Sequence, residues 1–499
     1  MPCPMPPATV SSPASATLCP RWLARSVTGF TALLLAACAA VGPDYLAPSP
    51  DDLTVPADWQ AALPHGGSTA GLEDWWSRLG DPLLIELQAQ ALKSNPSMQK
   101  AAAQIGAARA ALASAEAAEV PSLTLAGSGS RAKAMGATGA TSVTNSASLA
   151  LDASWELDLF GSVRRNVESG QATAQARLAD WNDTRVSLAA EVATDYINYR
   201  ACEATLKLAR ADAASREATA RITEGSFRAG ANASSDVALA NASAASGRAS
   251  VLSQQADCQI DVKGLVPLVG LPEARLQQLL DQGAAQPLQP ALFEVQRLPL
   301  ALLSQRPDLV AKERALAAAS ASVGVAEAGR YPRLSLAGSI GRSGADLGGA
   351  ARYSTPWSFG PSLSLPVFDG GAARANVRSA EANYEVALAA YRDAVGTAVK
   401  EVEQGLVRLG SAEAREADLR RSAEGYRRVA TATETAWRAG SESLLTLEQT
   451  RRDAISAEQA LLAVQRDRLL YGVALYKAVG GGWDTSLPDP QATTATLTR

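Results

Sequence analysis

Five cysteines lie in this 499-residue chain, and three of them sit where side-chain chemistry is conceivable. Cys38 closes an apolar run in "LLLAACAAVGPDY", residues 33–45. Arg21 and Arg25 precede the run, and no acidic residue occurs before Asp44. Ser26 to Ala37 is too short to span a bilayer and the right length for a signal-peptide core. Leu35, Ala36 and Ala37 are the aliphatic and small residues that a lipoprotein signal peptidase needs before its cysteine. The stretch reads as a bacterial lipobox. It predicts a lipoprotein signal peptide over 1–37 and a diacylglycerol plus N-acyl lipid on Cys38. No other cofactor and no metal is expected. Cys202 and Cys258 are equally far from Gly230 along the chain. If the chain reverses at Gly230, the two sulfurs sit level on adjoining segments. In an oxidising compartment they would form a disulfide; the other reading is two small buried thiols.

Composition excludes much else. One histidine, His65, leaves little for acid–base or metal chemistry. No nucleophile–base constellation is visible, so an enzyme is not expected. Once 1–37 is removed, only Met98 and Met135 remain as methionines, which gives no support for a methionine relay. The balance of 46 basic against 50 acidic residues offers no basic block for nucleic acid.

The elements that position these residues come twice. "EVPSLTLAGSGSR" (119–131) returns as "RYPRLSLAGSIGR" (330–342), and Pro96 and Pro121 return as Pro307 and Pro332. "FRAGANASSDVALA" (227–240) matches "WRAGSESLLTLEQT" (437–450). Four landmarks in one order predict two tandem structural repeats. Each repeat reads as a helix between its prolines, then two strands. Leu149, Leu151, Ala153, Trp155, Leu157 and Leu159 alternate with polar or small residues, as do Trp357, Phe359, Leu363 and Leu365. Loops are expected at 131–146 and 342–356. Trp155 and Trp357 read either as membrane-interface aromatics or as ordinary sheet packing.

Proline is then absent from 122 to 266 and from 367 to 487. Trp181, Leu188, Val192, Tyr196, Tyr199 and Leu206 recur at helical spacing, as do Tyr384, Leu388, Tyr391, Val395, Val402 and Leu406. Each long helix runs to an "RAG" turn, where Gly230 and Gly440 suit a left-handed C-cap, and a second helix returns antiparallel. A helix from Gly161 to Ala229 would be on the order of 100 Å long.

Four amphipathic strands cannot close a barrel, and an open edge in lipid leaves backbone groups unsatisfied. Single-chain outer-membrane barrels begin at eight strands. Identical copies must therefore share strands, and three give twelve. Asp152, Glu156 and Asp158 would then line the lumen. The fold expected is mainly α with a membrane β part: long antiparallel α-helical hairpins plus four β-strands per chain, a trimeric α-barrel and a 12-stranded β-barrel.

Five stretches carry a resemblance: "CAAVGPDYLAP" after the lipid site, "EDWWSRLGDPLLIELQAQALKSNP" (73–96), "DLFGSVRRN" (158–166), "SQRPDLVAKERALAAASASVGVAEAGRYPRLSL" (304–336) and "YGVALYKAVGGGW" (471–483). Together they resemble the TolC-like outer-membrane efflux factors, in particular the lipoprotein branch that works with resistance–nodulation–division pumps. The resemblance implies a homotrimer lipid-anchored in the outer membrane and reaching into the periplasm. Its partners would be a periplasmic adaptor and an inner-membrane pump. It implies a gated duct exporting drugs or other small molecules. Expected boundaries are a lipidated extended segment 38–72, a first repeat 73–270, an equatorial linker 271–303, a second repeat 304–483 and a tail 484–499. The tip turns, Arg228–Asp236 and Arg438–Glu448, would meet the adaptor. An aspartate in the second tip motif commonly narrows the pore in the family. Here Gln449 stands in that place beside Glu448, so either Glu448 supplies the negative ring or the pore is gated differently. Asp236 matches an acidic position in the first motif; the alternative is that both acids are exposed helix-end charges. Other readings are a type I-like protein secretion channel and a structural lipid-anchored coiled-coil spacer.

Overall fold

The structure is a computed structural model, and it describes residues 40–49, 53, 55–56, 59–61, 75–135, 141–283, 306–347, 350–482. Cys38, His65 and the tail 484–499 lie outside the described residues. The chain divides into two compact units. One comprises 1–43, 117–166 and 324–377; the other comprises 44–116, 167–323 and 378–499.

The first unit holds an antiparallel sheet. Its strands are β1 (Ser122–Met135), β2 (Thr141–Leu157), β3 (Arg333–Leu347), β4 (Ala350–Ser354) and β5 (Trp357–Ser364). β1 pairs β2 and β2 pairs β3, while β4 and β5 both pair β3 in succession. β4 and β5 are thus one interrupted strand, broken at Thr355–Pro356, where the Gly341 amide donates to the Pro356 carbonyl at 2.9 Å. Proline cannot donate to a ladder, and a break is its usual consequence. The strands run through much of the expected loops at 131–146 and 342–356. Small residues mislead there, because each is held by a cross-strand mate rather than by its own propensity. Ser128 pairs with Ser148, Ser130 with Ser146 and Ser343 with Ser354, each 2.8 Å between hydroxyls. Gly341 is required by space, since a Cβ would lie 2.7 Å from the Leu149 carbonyl oxygen.

The second unit is helical. α1 (Pro82–Ser94) and α2 (Pro96–Glu116) precede the sheet in sequence. α3 (Ser162–Arg228) and α4 (Ser234–Val269) form the first hairpin, followed by α5 (Glu273–Gly283) and α6 (Pro307–Ala328). α7 (Ala372–Arg438) and α8 (Leu444–Ala478) form the second hairpin. α3 and α7 are each 67 residues long, about 100 Å at 1.5 Å per residue. The helical spacing read from the sequence picks out their inner faces: Leu188, Val192, Tyr196, Tyr199 and Leu206 are buried, as are Tyr391, Val395, Val402 and Leu406. α5 falls inside the expected linker 271–303 and packs Leu276, Leu279 and Leu280 into the main core with Trp75, Leu84, Leu87, Leu265 and Tyr476.

The core also holds a polar knot. Asp81 caps α1 by accepting from the Leu83 amide at 3.0 Å, and its other oxygen accepts from Tyr196 at 2.7 Å and Arg200 at 2.8 Å. Burial, then the bond to Asp81, pushes the Tyr196 phenol far above its ordinary range. Among the described residues no helix is long and apolar enough to cross a membrane, which says nothing about the sheet.

Asp195 on α3 is half-buried, and burial followed by the charges of Glu191 and Asp261 pushes its carboxyl up. An acid raised on folding is penalised when ionised. The native state is therefore relatively favoured at low pH, and that advantage is lost as pH rises through the folded value. Asp195→Asn is expected to stabilise the protein at pH 7 by under about 1 kcal/mol after solvent screening, read as a higher thermal midpoint. The gain should vanish below about pH 3, where aspartate is protonated in both states. Equal gains at both pH values would remove the electrostatic account.

Candidate functional site

Two regions carry the features a duct needs: the sheet with its two unlike faces, and the tips of the two hairpins.

Opposed residues on adjacent strands share a face, so the register sorts the sheet. One face carries Leu123, Leu125, Leu149, Leu151, Trp155, Leu334, Leu336, Ile340, Trp357, Phe359 and Leu363, and most are exposed. The other carries Ser122, Thr124, Ser128, Asp152, Ser154, Glu156, Ser335, Ser339 and Ser358. Asp152 and Glu156 thus share the polar face. Trp155 and Trp357 share the apolar one, with the Trp155 indole donating to the Glu119 carbonyl at 3.0 Å.

Asp158, expected on the lumen-facing strand, lies beyond the end of β2 and caps α3 instead. Its carboxylate accepts from the Val163 amide at 3.1 Å, the Arg164 amide at 2.9 Å and the Arg164 side chain at 3.3 Å. Asp369 plays the same part before α7, accepting from Gly371 at 2.8 Å and Ala373 at 2.7 Å. Those backbone bonds, from Ala373 first, hold its carboxyl below the usual carboxylate range. An acid a few residues ahead of each long helix, Asp158 before Ser162 and Asp369 before Ala372, was the available signal for a helix cap.

At the hairpin tips the Gly230 amide bonds to the Phe227 carbonyl and the Ala231 amide to Ser226, a Schellman turn. The second tip repeats it with Gly440 to Trp437 and Ser441 to Ala436. Gly230 has φ +77° and Gly440 φ +78°, while nothing crowds either Cα. Backbone conformation alone demands glycine there. Ala240, Leu444 and Leu447 join Leu239 and Trp437 in a small apolar cluster between the hairpins.

Behind that cluster lies a charged network. Glu448 accepts from Arg216 at 3.3 Å, from Arg451 at 3.1 Å and from the Ser243 hydroxyl. Arg451 also donates to Thr219 at 2.9 Å, and Arg216 to Asp212 at 2.7 Å and Ser243 at 2.8 Å. Glu448 is 3% exposed and Arg451 6%. Within the chain two arginines draw the Glu448 carboxylate inward. Gln449 is exposed, donating to Asp453 at 3.1 Å and accepting from Arg452 at 2.7 Å. Asp236 is half-buried in the first turn of α4, where a carboxylate suits the helix dipole. The network was missed in the sequence because these partners come from three helices, α3, α4 and α8.

Cys202 on α3 and Cys258 on α4 are joined sulfur to sulfur, with Cα atoms 5.5 Å apart, and pack with Leu206 and Val251. Closing a loop of this sequence separation, 56 residues, stabilises by about 4 kcal/mol in the chain-entropy account. Cys202→Ser with Cys258→Ser is expected to lower the unfolding midpoint and speed protease cleavage within α3 and α4. Treatment with an alkylating agent should raise the intact mass by two alkyl groups only when the protein has first been reduced; alkylation without reductant would show free thiols.

Hairpins reversing at paired glycine turns, with a sheet apolar on one face and polar on the other, are the features of a membrane channel. The chain belongs to the outer membrane efflux protein family, whose model matches residues 87–271 and 298–481. It is 33% identical over 467 residues to nodulation protein T of Rhizobium leguminosarum bv. trifolii, covering 92% of this chain and 98% of that protein. It is 30% identical over 477 residues to the solvent efflux pump outer membrane protein SrpC of Pseudomonas putida, covering 93% and 99%. The solved outer-membrane channel OprN superposes with a TM-score of 0.77 at 32% identity, covering 89% of this chain and all of that one. The chain is an outer-membrane efflux channel.

Proposed function

We propose that three copies of the chain close their sheets into one twelve-stranded barrel, each giving β1, β2, β3 and the interrupted β4–β5 strand. The α3–α4 and α7–α8 hairpins would continue the duct into the periplasm. The observation that carries this reading is the sheet itself. Its faces are sorted apolar from polar through the rows of Leu149 to Leu157, yet among the described residues β1 and β4–β5 each have a strand on one side only. Such edges are not tolerated in hydrocarbon unless another copy covers them. Asp152 and Glu156 would give the lumen a negative stretch. The lipid on Cys38 would add an anchor.

The cargo in this reading is small and apolar or amphipathic. Relatives are named for solvent, toluene and antibiotic efflux, which supports that class. The tip network of Arg216, Glu448 and Arg451 would hold the periplasmic end shut until the adaptor engages it. The test pairs two measurements. Cysteines placed singly on the β1 and β5 edges should cross-link only between copies, giving a covalent trimer. Deletion of the gene should sensitise cells to dyes, detergents and solvents. A purified protein that stays monomeric without conductance in planar bilayers would overturn the reading.

A further inference from the structure

We propose that Arg131, Lys133 and Arg342 make a cationic ledge on the lipid-facing side of the sheet that binds phosphate groups of outer-leaflet lipid. The inference rests on the barrel reading above, with the β1–β2 hairpin end of the sheet directed outward.

The register places all three on the apolar face. Arg131 lies opposite Asn145, Lys133 opposite Val143 and Arg342 opposite Leu149. All three are exposed. Arg342 also lies over the Tyr353 ring, its guanidinium carbon 5.7 Å from the ring centre. The same face holds one carboxylate at this end, Asp346, opposite Asn145. The hairpin tips at 136–140 and 348–349 contain no charged residue. Three cations against one acid leave this end of the face positive in every copy.

Height decides what these cations meet. The apolar rows run from Leu157 to Leu149 along β2, eight residues, or about 27 Å at 3.4 Å each. A tilt of about 40° reduces that to roughly 20 Å, inside the usual apolar band of about 25 Å. Arg342 shares the row of Leu149 and so stands at the band's upper rim. Arg131 shares the row of Asn145, four residues further, and falls roughly 5 Å past the band, at headgroup level. Lys133 lies one row beyond. A long cationic side chain at a rim extends its head toward the polar layer. Arginine's planar fork meets a phosphate with two parallel hydrogen bonds. At this height the lumen face holds one cation, Arg352 opposite Ala345, against three on the lipid side.

The probe is a diphosphorylated glycolipid of the lipid A type, set against its dephosphorylated form and inorganic phosphate. Binding to the full-length purified trimer is measured by native mass spectrometry and by the shift of its melting midpoint. At about fivefold per cation, changing all three in Arg131→Gln, Lys133→Gln, Arg342→Gln is expected to weaken binding of the phosphorylated lipid roughly a hundredfold. Conductance should be unchanged, since no lumen residue is altered. The single Lys133→Gln variant should lose about fivefold and guards against misfolding of the triple variant. Equal binding of the two lipids, competition by millimolar inorganic phosphate alone, or a triple variant within threefold of wild type would overturn the proposal. Brominated acyl chains should quench Trp357 in vesicles. Quenching without phosphate preference removes the ledge only; no quenching removes the barrel reading as well.

Discussion

Glu448→Ala is expected to loosen the periplasmic tips and leave the resting channel leaky. The carboxylate holds two guanidinium groups that come from different hairpins, Arg216 of α3 and Arg451 of α8. Their side chains are 11% and 7% exposed, and that of Glu448 is 4% exposed. Removing one member of so buried a pair strands the others away from water, which costs about 3–5 kcal/mol. Asp212 and Thr219 would retain part of the hydrogen bonding, which points to the low end. About 3 kcal/mol is a factor on the order of 100 in the equilibrium between joined and separated hairpins. Hydrogen exchange should accelerate in the segments around Arg216, Ser243 and Arg451 and stay unchanged in the sheet. Single-channel recordings should show more time open, and cells should admit large antibiotics that the parent excludes. Glu448→Gln keeps the shape and a carbonyl acceptor but loses the charge, so it should fall between. Because the pairs are buried, salt should mimic these effects poorly. A variant with parental exchange and conductance would show that the network is packing alone.

Much of this architecture is legible in the sequence because it is written by periodicity. The alternation through Leu149–Leu157 survives as a two-faced strand, and the threes and fours through Leu188–Leu206 survive as a buried helix face. Gly230 and Gly440 are readable because a tight helix reversal has few alternatives to a left-handed glycine. What resists reading is whatever depends on a distant partner. Ser128, Ser130 and Ser343 look like loop residues until Ser148, Ser146 and Ser354 stand beside them. Asp158 continues an alternation of acids with Asp152 and Glu156, yet the backbone amides after it claim its carboxylate. Glu448 reads as a tip charge by its neighbours in sequence. Its fate is set by Arg216, far away in the chain and close in space. Helix α5 escaped notice because eleven residues hold barely three turns of pattern.

Leu151→Arg and Ser148→Arg should part company sharply, although the two sites are three residues apart on β2. Leu151 stands in a row with Leu125, Ile340 and Trp357 inside the apolar face, one row below Leu149. A cation on a barrel's lipid face costs about 2–4 kcal/mol at the midplane and less toward the rim, so about 1–2 kcal/mol is expected here. A trimer carries that cost three times over, so the variant should dissociate in mild detergent or fail to reach the outer membrane. Ser148 lies on the other face, paired with Ser128 at 2.8 Å between hydroxyls and opposite Ser343. An arginine there keeps its head in water and loses one exposed hydroxyl contact, within about 1 kcal/mol. Its trimer should survive heating as the parent does. Its charge would instead appear in transport: three new cations in the lumen, above the acids Asp152 and Glu156, should shift the reversal potential toward anions. Gel mobility of the unheated trimer reads the first effect and planar-bilayer recordings the second. The opposite order, with Ser148→Arg destroying the trimer and Leu151→Arg altering selectivity, would mean the sheet is turned inside out relative to the lipid. That single reversal would undo the lumen, the membrane face and the cationic ledge together, because all three are read from one register.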